Sequence, residues 1–200
     1  MKDFLKKYRL TYTEKNGQVE LSDFLNNFHG FGFVYQLISE CGGQVFNNGL
    51  FKIHTFDMVS KWTTLLTQSY FKDELENRQL ICFASNWQGC MYCVNRENTA
   101  LTYFDPATCE FFSSDGISLS DFFDDILING EYDIIFEEYY DEAIARLNFD
   151  KLDYQQSVGH KIYLHLGGED SVDNLEVVDT AVLWEMQIQI AERINDLNEE

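Results

Sequence analysis

The sequence contains one proline, Pro106, in 200 residues, and no Ser/Gly-rich stretch or internal repeat. Proline and small polar residues build hinges and tethers, so their scarcity excludes a flexible interdomain linker. No apolar run reaches the roughly 18 residues that span a bilayer. The Met1–Lys7 stretch lacks the continuous apolar core of a secretory signal. Cysteines are few and odd in number: Cys41, Cys82, Cys90, Cys93 and Cys109. Without an export signal they read as reduced thiols, so a soluble, cytoplasmic protein is expected. The GxSxG, P-loop, GxGxxG and HExxH patterns are all missing, which leaves nucleophile elbows, phosphate cradles and zincin helices without support.

Positive charge is the scarcest feature, and it is scarce in one place. Residues 111–200 hold 22 of the 34 Asp and Glu but only four of the 14 Lys and Arg, a net of −18. Residues 1–110 carry −2, which completes the total of −20. A field of that sign repels nucleic acid, nucleotides and anionic headgroups and attracts cationic surfaces. The shift near residue 110 divides the chain into an expected first lobe, 1–110, and an acidic second lobe, 111–200.

What is abundant is apolar and aromatic: 45% of residues are hydrophobic and 16% carry Phe, Trp or Tyr rings, 17 of them Phe. A chain of this size buries roughly 70% of its unfolded surface. It needs no disulfide or metal to hold a core. Short helices are expected over 2–9 and over 22–28, the latter capped by Ser22. Phe33, Leu37 and Ile38 form a helical stripe that stops at Gly42-Gly43. Residues 49–54 alternate as a strand. Thr55 caps a helix with Met58, Val59, Trp62, Leu65 and Leu66 on one side. Runs at 79–84, 90–94, 100–104 and 109–112 have meander spacing.

In the acidic half, Ser118-Leu119-Ser120-Asp121 fits a capping box. Leu119, Phe122, Phe123, Ile126 and Leu127 then form an inward stripe that leaves Asp121, Asp124 and Asp125 outside. A helix over about 136–147 buries Ala143, Ile144 and Leu147 and presents Glu137, Glu138, Asp141 and Glu142. Strands are expected at 158–166, with Ile162, Leu164 and Leu166 inward, and at 174–178. A last helix over about 180–196 packs Ala181, Trp184, Ile188 and Ala191. Strands that cluster instead of alternating with helices predict an α+β fold, a mostly antiparallel sheet flanked by helices in two closely packed lobes of one globular unit.

Residue types that carry chemistry are present but poorly spaced. His160 and His165, five apart on the expected strand, fall on opposite faces, and His29 and His54 have no ligand at metal spacing. Cys90-Met91-Tyr92-Cys93 is a lone CxxC on an expected strand, so its sulfurs separate by face and read as buried structural thiols. Glu169, Asp170, Asp173 and Asn174 crowd one loop. A Ca²⁺ site there competes with a loop whose acids bond their own backbone. The expectation is no metal, no cofactor and no catalytic residue.

One run is distinctive: Gly159-x-Lys161, Leu164-x-Leu166-Gly167-Gly168-Glu169-Asp170, Asn174-Leu175-Glu176-x-x-Asp179, then Trp184. It resembles the C-terminal domain of the type VI secretion DNase-immunity family. Gly42-Gly43-x-x-Phe46-Asn47-x-Gly49-Leu50-Phe51-x-Ile53-His54 resembles the GAD-like portion that precedes that domain, and Asn86-Trp87-x-Gly89 falls where such proteins tend to carry Asp-Trp-Leu-Gly. The resemblance spans roughly residues 20–195. Asn86 in place of Asp, and Tyr163 where the family commonly has Pro, are departures. The resemblance implies an immunity protein that binds a secreted toxin, a nuclease being one candidate, and blocks it by occluding a basic surface. The matching Gly, Leu and Trp residues read as determinants of turns and core.

Charge places the expected contact on Asp121, Asp124, Asp125, Glu137, Glu138, Asp141 and Glu142, with Tyr139 or Tyr140 as aromatic anchors. The expected partner is a basic protein toxin, with no nucleic acid or membrane. The alternative is a non-enzymatic binding or scaffold module for a basic protein or peptide outside any toxin system. An enzyme using the cysteines or the acidic loop is a third reading.

Overall fold

Two strands in the middle of the chain, β4 (Leu80–Asn86) and β5 (Met91–Asn95), are buried on both faces, and everything else is layered on them. The computed structural model describes residues 3–67, 71–72, 75, 78–129 and 134–199. The main sheet runs in sequence order: β1 (Leu10–Thr13), β2 (Gln44–Phe46), β3 (Phe51–Ile53), β4, β5, β6 (Ala100–Asp105) and β7 (Glu110–Asp115). Every neighbouring pair is antiparallel. A separate hairpin pairs β8 (Gln156–His160) with β9 (Leu175–Asp179). The fold is α+β.

Alternation on the central strands separates two apolar clusters. Ile81, Phe83, Tyr92 and Val94 join one face, packed by Phe4 of α1 (Phe4–Lys7), Val34 and Ile38 of α3 (Gly32–Cys41), and Phe122, Phe123 and Tyr140. Leu80, Cys82, Met91 and Cys93 join the other, packed by Trp62 of α4 (Phe56–Leu65) and by Trp184, Ile188 and Ala191 of α8 (Thr180–Glu199). The first cluster draws on both halves of the chain: the Phe4 ring meets Phe123 edge-on at 5.2 Å, and Phe51 lies 6.0 Å from Phe122.

The acidic helix begins where expected. Ser118 Oγ accepts from the Asp121 amide at 3.1 Å while Asp121 Oδ2 takes the Ser118 amide at 2.9 Å, a reciprocal cap. After α5 (Leu119–Asp121) the backbone widens into a π-turn, Phe122–Ile126, before α6 (Leu127–Asn129). Phe122 and Phe123 point inward, their rings crossed at 5.2 Å, and Asp124 and Asp125 face solvent, as the apolar stripe predicts. Ser118→Ala should cost about 1 kcal/mol in chemical denaturation, the usual loss of an N-cap.

Several expectations shift. Only Phe4–Lys7 of the expected 2–9 helix is helical, because Leu10–Thr13 pairs with β2. Ser22 lies inside α2 (Leu21–Asn27) and does not cap it. The expected strand 158–166 ends at His160, and Leu164–Leu166 forms a 3₁₀ turn. The cause is Asn174. Its Oδ1 accepts from the Ile162 amide at 2.9 Å and its Nδ2 donates to the Ile162 carbonyl at 2.8 Å, so a side chain replaces a partner strand. Gly168 is needed beneath this clasp, since a Cβ there would stand 1.8 Å from the Ile162 oxygen. Ile162 and Leu166 are consequently exposed, not inward, and His165 sits on the turn instead of a strand.

Candidate functional site

The seven acids read from sequence as a contact surface do not behave alike. Asp124, Asp125, Glu138, Asp141 and Glu142 are exposed. Among the described residues, no Lys or Arg nitrogen lies within 4 Å of Asp125, Glu138, Asp141 or Glu142. Asp121 differs: its carboxylate is committed to the Ser118 cap, and those hydrogen bonds hold its pKa below the usual carboxylate value. Glu137, the first residue of α7 (Glu137–Leu147), lies 3.9 Å from Lys7. Lys7 also donates to the Leu127 carbonyl at 2.9 Å, so α1 bridges the two acidic helices. A shallow cavity joins Glu137 and Asp141 to Arg9 and Tyr140. Tyr140 is a core residue: it is 2% exposed and its hydroxyl donates to the Asn48 carbonyl. It is no anchor for a partner.

An apolar groove of about 630 Å³ opens between β7 and the acidic helix, lined by Leu101, Phe112, Ile117, Ile126, Ile134 and Phe136, with the carboxylate of Asp115 among them. Phe112 is 58% exposed on β7, the outer strand of the sheet. Its exposure has no signature in the sequence, because a Phe on a short strand near other aromatics reads as core.

A second cavity, about 160 Å³, lies under the Gly167-Gly168-Glu169-Asp170 turn. Asp105 and Pro106 from the β6–β7 turn, Phe136 and Tyr139 at the start of α7, His160 and Asp170 from the hairpin, and Gln187 of α8 all meet there. Burial raises the Asp105 pKa, and Asp170 and Glu110 add to it. Burial, then the charge of Asp170, pushes the Tyr139 phenol up to about 12. His160, 5% exposed, reaches Asp170 at 3.3 Å. Gln187 is wholly buried, and among the described residues neither its amide oxygen nor its nitrogen has a partner. Its neighbours Leu183, Trp184 and Ile188 mask it in sequence as one polar position on an amphipathic helix.

The loop acids read as a conceivable Ca²⁺ cluster turn to separate partners: Asp170 to His160, Asp173 to Arg146, while Asn174 staples the backbone. Among the described residues no three His, Cys, Asp or Glu side chains converge as a metal set. Cys90 and Cys93 occupy different surroundings. Cys90 Sγ accepts from the Tyr103 hydroxyl at 3.0 Å and burial raises its pKa well above the ordinary thiol value, whereas Cys93 faces Cys82 across β4 and β5. Cys82 in turn stands 3.7 Å from His54 Nδ1.

The residues that carried the family resemblance hold the halves together. Trp87 Nε1 donates to the Ile135 carbonyl at 2.9 Å, Trp184 Nε1 to the Gly89 carbonyl at 2.8 Å, and the buried Asn86 Oδ1 accepts the Gln88 and Cys90 amides. Lys52, 1% exposed, crosses from β3 to the loop before β8 and donates to the Asp153 and Gln156 carbonyls. Among the described residues no helix is long and apolar enough to cross a membrane.

No protein-family model matches the chain, and no curated protein matches it. The chain is similar to the crystal structure of Atu4351 from Agrobacterium tumefaciens, at a TM-score of 0.65 and 16% identity, over 94% of this chain and 87% of that one. At that identity the likeness is one of fold: the two chains share an architecture over nearly their whole lengths.

Proposed function

We propose that this protein is an immunity protein: it binds a cationic secreted toxin in the cytoplasm and neutralises it by covering a basic surface. A nuclease fits the charge argument best, because its substrate is a polyanion and its cleft must be basic. The observation that carries the reading is the pairing of the apolar groove with exposed carboxylates. Phe112, Ile126 and Ile134 line about 630 Å³ of open space together with the exposed Asp115, and the exposed Asp124 and Asp125 directly precede Ile126 in the chain. Interfaces draw their affinity from such partly buried apolar and aromatic anchors, while the charged margin sets approach and selectivity. The sequence resemblance supports the same reading from independent residues, since Gly167-Gly168, Asn174 and Trp184 build the fold and leave the acidic face free to vary.

The direct test is protection. A secreted effector encoded beside this protein is expressed in a sensitive host with and without it, and survival is counted. Full survival with the wild type, and loss of most protection with Phe112→Ala at equal expression, is the expected result. Truncating an interface anchor of this kind costs more than about 1 kcal/mol in binding. If no effector encoded alongside binds this protein, and none is neutralised, the reading fails.

A further inference from the structure

The cavity beneath the Gly167–Asp170 turn holds polar atoms that the fold does not use. Gln187 is wholly buried on α8, lines this cavity, and among the described residues has neither a donor for its oxygen nor an acceptor for its nitrogen. The Thr108 hydroxyl on the same wall is also buried and without a partner. Burying an amide unsatisfied forfeits its hydrogen bonds to water with nothing in return, so an apolar residue would serve the empty protein better here. Asp105 adds a carboxylate whose charge the fold only partly offsets. Burial disfavours its charge, and against that stand only the Ala107 amide, which donates to Oδ1 at 2.8 Å, and His160, which already reaches Asp170.

The chemistry of the wall narrows the ligand. Among the described residues no Lys or Arg lines the cavity, and two carboxylates, Asp105 and Asp170, face one histidine, His160, so the wall favours a cation. An anion is excluded. Phe136 and Tyr139 supply aromatic surface at its side. Carboxylates for paired hydrogen bonds, an amide oxygen as a further acceptor, and aromatic faces for stacking form the environment that suits a flat, delocalised cation with several fixed donors. An ammonium ion, a compact and strongly hydrated charge, gains less from it. A volume of about 160 Å³ leaves room for one side-chain head and part of its stem, not for a folded segment.

We infer that this cavity is a guanidinium site, which receives one arginine side chain of the basic partner between Asp105, Asp170 and the Gln187 amide oxygen. The Gln187 nitrogen and the Thr108 hydroxyl then serve a water or the main-chain carbonyl that accompanies the arginine. That the arginine comes from the partner rests on the immunity reading; the preference of the cavity for a guanidinium group does not.

The test uses the full-length protein with two probes, Nα-acetyl-arginine methylamide and its lysine counterpart, titrated while the Gln187 side-chain amide is followed by NMR. The arginine probe should shift that resonance saturably and bind at least about tenfold more tightly than the lysine probe. Asp170→Asn, at an exposed position that the core does not need, and Asp105→Asn should each weaken arginine binding about tenfold, the loss expected when a hydrogen bond to a charge is removed. An unmoved Gln187 resonance, equal binding of the two probes, or Asn variants that bind as well as the wild type would each overturn the assignment. A separate arm fixes the source of the arginine. If the double Asn variant holds the toxin as tightly as the wild type, the guanidinium is not the partner's. If the arginine probe binds but no effector is neutralised, the site stands and the immunity reading falls.

Discussion

Reversing Asp124, Asp125, Glu138, Asp141 and Glu142 to lysine is expected to slow association with the basic partner by roughly 10²–10³-fold at low ionic strength. All five side chains are exposed, so the far-UV spectrum and thermal midpoint should stay close to those of the wild type. The set leaves out Asp121, whose carboxylate caps α5, and Glu137, which sits against Lys7, because changing either would alter the fold as well as the field. Steering acts through the summed potential, and salt shortens its reach to about 10 Å at 0.1 M. The wild-type rate should therefore fall steeply between low and physiological salt, while the rate of the reversed variant should stay flat or rise. Stopped-flow association across that range reads both quantities. Unchanged rates with an unchanged salt slope would show that the partner approaches another face.

Lys52→Met is expected to remove a stability increment that grows with pH. Burial lowers the Lys52 pKa to about 7, and the charge of Asp153 offsets only part of that. In the unfolded chain the same ammonium titrates near 10.5. Between those values the unfolded state holds a proton that the folded state has released, so folding stability rises with pH through this window. Below about 7 both states hold the proton and the increment vanishes. A neutral amine has two N–H donors, which matches the two carbonyls of Asp153 and Gln156 that Lys52 meets. The stability gap between wild type and variant should widen in favour of the wild type by about 2 kcal/mol from roughly pH 7.5 to pH 9. Urea denaturation at each pH measures it. A gap that is constant with pH would show that Lys52 stays charged in the fold, screened by water.

The elements that could be read without a structure are those where one local rule dominates. The Thr55 cap, the Ser118–Asp121 box, the four meander strands and the long terminal helix each follow from a cap, a period or a turn signal, and each lies within a few residues of its expected place. The failures share a cause as well. Residues 161–166 have the apolar alternation of a strand, yet Asn174, eight or more positions downstream, takes the hydrogen bonds that a partner strand would have used. Phe122 and Phe123 face inward as the helical period predicts, but the π-form of the turn that carries them, Phe122–Ile126, has no signal in that pattern. Tyr140 reads as surface in sequence and is core because Trp87, far away in the chain, stacks near it at 5.3 Å.

The candidate sites divide in the same way. Net charge is additive over residues, so the acidic character of the second half is legible in the sequence. Whether a given carboxylate is free, capping or paired depends on its neighbours in space. Asp121, Asp125 and Glu137 look equivalent in sequence and have three different fates in the fold. The cavity of Asp105, Asp170 and Gln187 gathers three segments that are 17 to 82 positions apart in the chain. The sequence by itself determined the fold class, the capped helices and the sign of the field, because periodicity, capping and charge are local or summed properties. The tertiary structure alone decided which acids face solvent, where the apolar groove opens and which buried amide lacks a partner, because each of these depends on long-range packing.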